Sequence, residues 1–278
     1  MKNEINILRK ELFQQVKKIR ISGVTSIALI GSFQYSKKLK AINDIDLIIL
    51  VKRLTPQIYK KLILKFEEIA KTLTRDKIKV IVEKRHGPYK PIIEYGVKIL
   101  QLHILIHTVG VWKRKGKNNP TYSLDANNFN INFVGKPLKK IVMINRLYKD
   151  QIKEHLYNRL KSLNKTQIYL LEYKVIKNKI KKVENYIKIR KKDSLEVLIF
   201  NVIIGWMNYL RYFDPNLKKD EGLMLKRAKK LLPKIHYNFI STIFSIKDET
   251  RNHKVPVKIS LLKKKGLDFI QFLINTLD

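Results

Sequence analysis

The sequence predicts an α+β fold in residues 1–112, strands with flanking helices, followed by an all-helical C-terminal domain over 138–278. Three observations lead there. Short apolar runs of strand length alternate with amphipathic stretches of helical period up to Trp112. Turn formers, Asn and lysines then crowd 113–137, which reads as a basic linker. From Leu138 onward apolar residues recur at helical spacing. A length of 278 residues suits about two domains at the usual ~150 residues each.

In chain order, Asn3 is a fitting N-cap for a helix whose buried stripe is Ile5, Leu8, Leu12, Val16 and Ile19, ended by Ser22-Gly23. Residues 26–30 form the first strand, and Gly31-Ser32 turns out of it. Lys37, Lys38 and Lys40 occupy a loop before the next strand, 44–51. Thr55-Pro56 opens a helix that buries Ile58, Leu62, Phe66 and Ile69. Strands follow at 78–82 and 99–108, read as a hairpin joined by a cation-rich turn that includes Arg85 and His86. In the linker, Lys113, Arg114, Lys115 and Lys117 lie beside Trp112 and Tyr122, a pairing of phosphate contacts with stacking surfaces. Beyond it, Tyr169, Tyr173, Ile176, Ile180, Val183 and Ile187 predict a long basic helix, with Lys177 and Lys181 on its charged face. Residues 195–210 read as the core helix of the second domain, and further helices run over 222–232, 234–246 and 260–277.

Charge narrows the partners. There are 59 Lys+Arg against 23 Asp+Glu, a net charge of +36, with both parts of the chain basic. A surplus of this size points to a polyanionic partner such as RNA or DNA. With no cysteine, thiolate metal sites and a Cys nucleophile are excluded. The N-terminus lacks the uninterrupted apolar core of a signal peptide, and the apolar stretch 197–210 contains Asn201 and Asn208 and is shorter than a span of ~20 residues. A cytoplasmic protein with no membrane association is the expectation.

The chemistry concentrates where a second apolar run opens on Asp44-Ile45-Asp46-Leu47. In a strand, Asp44 and Asp46 project to the same side while Ile45 and Leu47 pack behind them. Two neighbouring carboxylates repel each other unless a cation sits between them, and hard oxygen ligands suit Mg²⁺ or Mn²⁺. Gly31 and Ser32 add a turn whose backbone N–H groups and hydroxyl can approach a phosphate closely. Together they point to chemistry on a nucleoside triphosphate.

Gly31-Ser32, a spacer of eleven residues and then Asp44-Ile45-Asp46-Leu47 resembles the signature of the polymerase-β superfamily of nucleotidyltransferases. Gly-Ser-Phe is the form found in the branch with the oligoadenylate and cyclic-dinucleotide synthases and the RNA-tailing enzymes. The resemblance covers about the first hundred residues and implies a mixed β-sheet and transfer of a nucleoside monophosphate from an NTP to a hydroxyl. Asp44 and Asp46 would hold two divalent ions, and Gly31, Ser32 and Lys38 the triphosphate. The family places a third carboxylate on a strand adjoining the pair, but Gln101 or His103 stands there in the 99–108 strand. Glu83 is the candidate substitute acid and His103 a candidate general base. RNA, with the 3′ end of tRNA among its forms, is the expected acceptor. The alternatives are an inactive nucleotidyltransferase-like RNA-binding component, a cyclic or linear oligonucleotide synthase and a protein adenylyltransferase.

Overall fold

A computed structural model describes all residues except 1, 35, 37–41, 43, 87–96, 119, 166, 189–193, 219 and 251–257. Among the described residues the chain divides into two compact units. Residues 1–118, 125–144 and 170–185 make the first, and 119–124, 145–169 and 186–278 the second.

The first unit is built on a five-stranded sheet in the order β3-β4-β2-β1-β5. Its strands are β1 (Val24–Ile30), β2 (Asp44–Val51), β3 (Ile78–Glu83), β4 (Lys98–Thr108) and β5 (Ile131–Gly135). Helix α1 (Lys2–Lys17) precedes β1, and α2 (Pro56–Leu73) joins β2 to β3. Helix α2 begins as its sequence predicts: the Ile58 N–H donates to Thr55 Oγ1 at 3.2 Å, and Pro56 fills the first turn, where no N–H is needed. One face of the sheet carries Ile27, Leu29, Ile45, Leu47, Ile49, Leu102, Ile104 and Ile106. These pack with Leu8, Leu12 and Val16 of α1 and Leu62, Phe66 and Ile69 of α2 in a single core. The strict period of two leaves Asp44, Asp46, Gln101 and His103 on the opposite face.

The structure corrects three sequence expectations. First, β3 and β4 are neighbours but run parallel, so they are not a hairpin. A parallel pair cannot be joined by a tight hairpin turn. Second, 113–137 is not a linker. It contains most of α3 (Val109–Asn118), α4 (Pro120–Asn128) and β5, which pairs antiparallel with β1. Phe133 is buried and meets Phe13 of α1 edge-on at 5.3 Å, while the Asn residues around it conceal the strand pattern. Gly135 has φ of +70° and passes so near β1 that a Cβ there would stand 2.0 Å from the Thr25 carbonyl oxygen.

Third, the long basic helix is a β-ribbon, β6 (Gln167–Ile176) with β7 (Lys179–Lys188). Its two-residue turn is Lys177-Asn178, both with positive φ (46° and 54°), the signature of the hairpin turn that matches strand twist. The apolar positions of this segment fit a helix stripe as well as two strands. Its wealth of Tyr, Ile and Val, and the Asn in the turn, favour strands. Leu171 of the ribbon exchanges backbone hydrogen bonds with His86 (2.7 and 3.0 Å).

The second unit is helical: α5 (Lys149–Lys165), α6 (Ser194–Phe213), α7 (Glu221–Leu231), α8 (Lys234–Thr250) and α9 (Ile259–Asn275). Helix α6 is its core, as the apolar run predicts. At Gly205 a Cβ would lie 2.6 Å from Ile270 Cδ1, so the glycine sets how close α9 can come. Asn201 and Asn208 are buried and bonded, Asn201 Nδ2 donating to the Val197 carbonyl at 2.8 Å and Asn208 Nδ2 lying 2.9 Å from His155 Nε2. No helix among the described residues is long and apolar enough to cross a membrane.

Candidate active site

Strand register assembles the site. Asp46 pairs with Ile30 of β1 on one side and with His103 of β4 on the other, and His103 pairs in turn with Glu83 of β3. One row thus crosses four strands as Ile30, Asp46, His103 and Glu83. In the adjoining row on the same face Asp44 stands opposite Gln101.

At the end of β1 the chain turns sharply. Gly31 has φ of +75°, and a Cβ there would lie 2.6 Å from Asp46 Oδ2. Only glycine suits both the backbone angle and the contact. A left-handed residue followed by the right-handed turn Ser32–Gln34 is the alternation that gathers backbone N–H groups into an anion-binding concavity. Arg9 of α1 fixes this turn: its Nε donates to the Phe33 carbonyl at 2.6 Å and its Nη2 to that of Ser36, and the guanidinium lies 5.5 Å over the Phe33 ring. Gln34 Nε2 donates to the Phe129 carbonyl at 2.7 Å. Arg9 was not among the sequence candidates, because a single arginine on an amphipathic helix carries no local sign of such a role.

His103 is buried between two acceptors. Its Nδ1 lies 2.9 Å from Asp46 Oδ1 and its Nε2 2.6 Å from the Arg85 carbonyl oxygen. Burial pulls its pKa down, but the hydrogen bond to Asp46, the charges of Asp46 and Asp44 and the Arg85 carbonyl outweigh that and raise it. Glu83, in the same row, is taken up by Arg85: Oε1 accepts from the backbone N (2.8 Å) and Nε (2.9 Å), and Oε2 from Nη2 (2.6 Å). Burial pushes this carboxyl's pKa up, and the bonds and charge of Arg85 more than reverse it, leaving it lowered. Arg85 is therefore the second residue that sequence reading passed over, registered there only as part of a cationic turn.

The donor set fits a divalent ion that arrives with a triphosphate. Mg²⁺ is commonly held by one or two carboxylates, with phosphate oxygens and water completing the shell. Asp44 and Asp46 provide the two carboxylates, and the buried Gln101 Oε1 has no hydrogen-bond partner among the described residues. No group of three or more His, Cys, Asp or Glu able to hold a metal by itself occurs among those residues.

The remaining sequence candidates are distributed elsewhere. Lys38 lies outside the described residues. Lys113, Arg114 and Lys117 are exposed on α3, whereas Lys115 is turned inward, its pKa lowered to about 8 by burial and then by Lys182. Trp112, expected to offer a stacking surface, is fully buried and stacks on His107 with ring centres 5.8 Å apart. Lys177, in the ribbon turn, and Lys181, on β7, are both exposed.

Residues 7–110 match the sequence family described as a nucleotidyltransferase domain. Among solved structures, the chain resembles spectinomycin adenyltransferase AAD(9) from Enterococcus faecialis, crystallised with ATP and spectinomycin. The likeness has a TM-score of 0.50 at 13% identity and spans 99% of this chain and 98% of that one. At this identity it is a likeness of fold. No curated protein matches by sequence.

Proposed function

We propose, from the match of residues 7–110 to the nucleotidyltransferase domain family, that the chain transfers a nucleoside monophosphate from an NTP to a hydroxyl of RNA. The observation that carries the transfer is the convergence of Gly31 and Asp46: a turn suited to phosphate lies in contact with a carboxylate on the polar face of the sheet. In this reading the Gly31-Ser32 backbone receives the β and γ phosphates. Asp44 and Asp46 would hold a divalent ion, which would supply neutralisation of the triphosphate charge; the acceptor hydroxyl oxygen bonds to the α-phosphorus, pyrophosphate leaves, and the hydroxyl proton passes to solvent. Arg9 keeps the turn in shape for this.

RNA as the acceptor rests on charge. A net charge of +36 draws polyanions and repels cationic small molecules. Lys113, Arg114 and Lys117 on α3 and Lys177 and Lys181 on the ribbon are exposed cations suited to its phosphates. A second reading, a small hydroxylated acceptor, is favoured by the fold likeness along nearly the whole of an adenyltransferase whose structure contains spectinomycin.

The test is incubation with each α-labelled NTP, Mg²⁺ or Mn²⁺ and total RNA, beside Asp46→Asn. Label entering RNA with the parent protein, reduced about 10³-fold in the variant as expected for several kcal/mol of lost charge stabilisation, supports the proposal. Label entering only added hydroxylated small molecules favours the second reading. Absence of label from RNA, protein and small oligonucleotides, with salt-sensitive RNA binding by both forms, overturns transfer in favour of an RNA-binding role.

A further inference from the structure

The hydrogen bonds around Asp46 divide the work of its two oxygens. Oδ1 faces His103 Nδ1 at 2.9 Å, while Oδ2 faces Gly31, whose missing Cβ would fall 2.6 Å from it. His103 cannot readily leave. Its other nitrogen is bonded to the Arg85 carbonyl at 2.6 Å, and Arg85 is tied through its backbone N–H and its guanidinium to Glu83. Both ring nitrogens are thus engaged, one by a carboxylate oxygen and one by a backbone carbonyl oxygen. Rotating it away would leave buried polar atoms unpaired.

In a two-ion site the ions stand about 3.5–4 Å apart, and each needs oxygen ligands of its own. The residue paired with Asp46 on the neighbouring strand is His103, and the acid one strand further out, Glu83, is bonded through both oxygens to Arg85. We propose that this site takes a single divalent ion, held by Asp44 and Asp46 Oδ2 with the triphosphate, and that the His103 ring occupies the place of a second ion. His103 is on this view a positioning residue: it holds the Asp46 carboxylate so that one oxygen faces the phosphate turn, and its ring, fixed at both nitrogens, fills the space beside the other oxygen. The inference rests on the nucleotidyltransferase reading of the same site.

The experiment is a Mn²⁺ titration of the full chain, followed by electron paramagnetic resonance, with each α,β-methylene nucleoside triphosphate and protein in excess. Asp46→Asn serves as the blank for Mn²⁺ carried by nucleotide alone. One Mn²⁺ per bound nucleotide, with no spin-coupled pair, is expected for the parent. His103→Asp, folded by circular dichroism, should raise this to two and give the coupled signal. Two ions in the parent, or one in a folded His103→Asp, overturn the proposal; the parent count decides alone if the variant does not fold. Two ions would leave nucleotidyl transfer standing, whereas a parent indistinguishable from the blank with every nucleotide would remove both.

Discussion

Gly31 and Asp46 approach each other so closely that the smallest side chain on Gly31 would stand 2.6 Å from Asp46 Oδ2. Position 31 therefore ties backbone shape to carboxylate placement. Gly31→Ala must both adopt φ of +75°, at a cost of roughly 1–2 kcal/mol, and push the Asp46 carboxylate aside. We expect a modest loss of stability in chemical denaturation together with loss of nucleotide binding by calorimetry. Unchanged nucleotide affinity in a folded Gly31→Ala protein would separate the turn from the phosphate.

In the proposed function the ribbon lysines would meet the acceptor rather than the nucleotide. Replacing Lys177 and Lys181 together by Ala should weaken binding of single-stranded RNA and lower the slope of log affinity against log salt by about 0.7 per lysine. NTP affinity should not change. A salt slope equal to that of the parent would place the RNA elsewhere.

Arg9 acts at a distance from the chemistry. Arg9→Met keeps much of the apolar stem but removes the bonds to the Phe33 and Ser36 carbonyls. The turn should then bind triphosphate more weakly, a loss of about tenfold for hydrogen bonds worth on the order of 1.5 kcal/mol, with the fold retained. Calorimetry with an NTP analogue measures this, and unaltered affinity would count against the turn as the phosphate site.

Acid should destabilise both units. Burial, then the charges of Lys115 and His103, lowers His86 to about 3, and burial with the Arg159 charge lowers His155 to about 3. Both pKa values lie below the unfolded value of ~6.5, so the unfolded chain takes up protons first as pH falls. Stability is then fully present above about pH 6.5 and is lost progressively toward pH 3, each histidine contributing on the order of 2–3 kcal/mol by pH 4. Urea unfolding at pH 7.5, 5.5 and 4 follows this loss, and His155→Gln should flatten its share. Midpoints independent of pH would sink the prediction.

How much of this could be read from the sequence differs from element to element. The Gly31 turn and the Asp44 to Val51 strand were legible because a glycine and two carboxylates interrupt otherwise apolar runs, and both are local signals. The burial of His103 against Asp46 was not, since strand register joins residues 57 positions apart. Sequence placed Gln101 and His103 as the alternatives for the third position; the register sets Gln101 against Asp44 and His103 against Asp46. The ribbon was misread because Tyr173, Ile176, Ile180, Val183 and Ile187 satisfy a helical period, and positive φ at Lys177 and Asn178 has no counterpart in apolar spacing. Strand β5 was hidden among asparagines, and its pairing with β1 is a tertiary fact.

That late strand bears on how little of the chain can stand alone. The segment matching the nucleotidyltransferase family ends at residue 110, yet β1 is flanked on its outer side by Ile131–Gly135. Cut after residue 110, β1 would become an edge strand, its row of amide and carbonyl groups available to any extended peptide. Such a fragment would tend to associate with itself, so the segment set by family likeness and the piece able to remain a monomer differ by at least one strand.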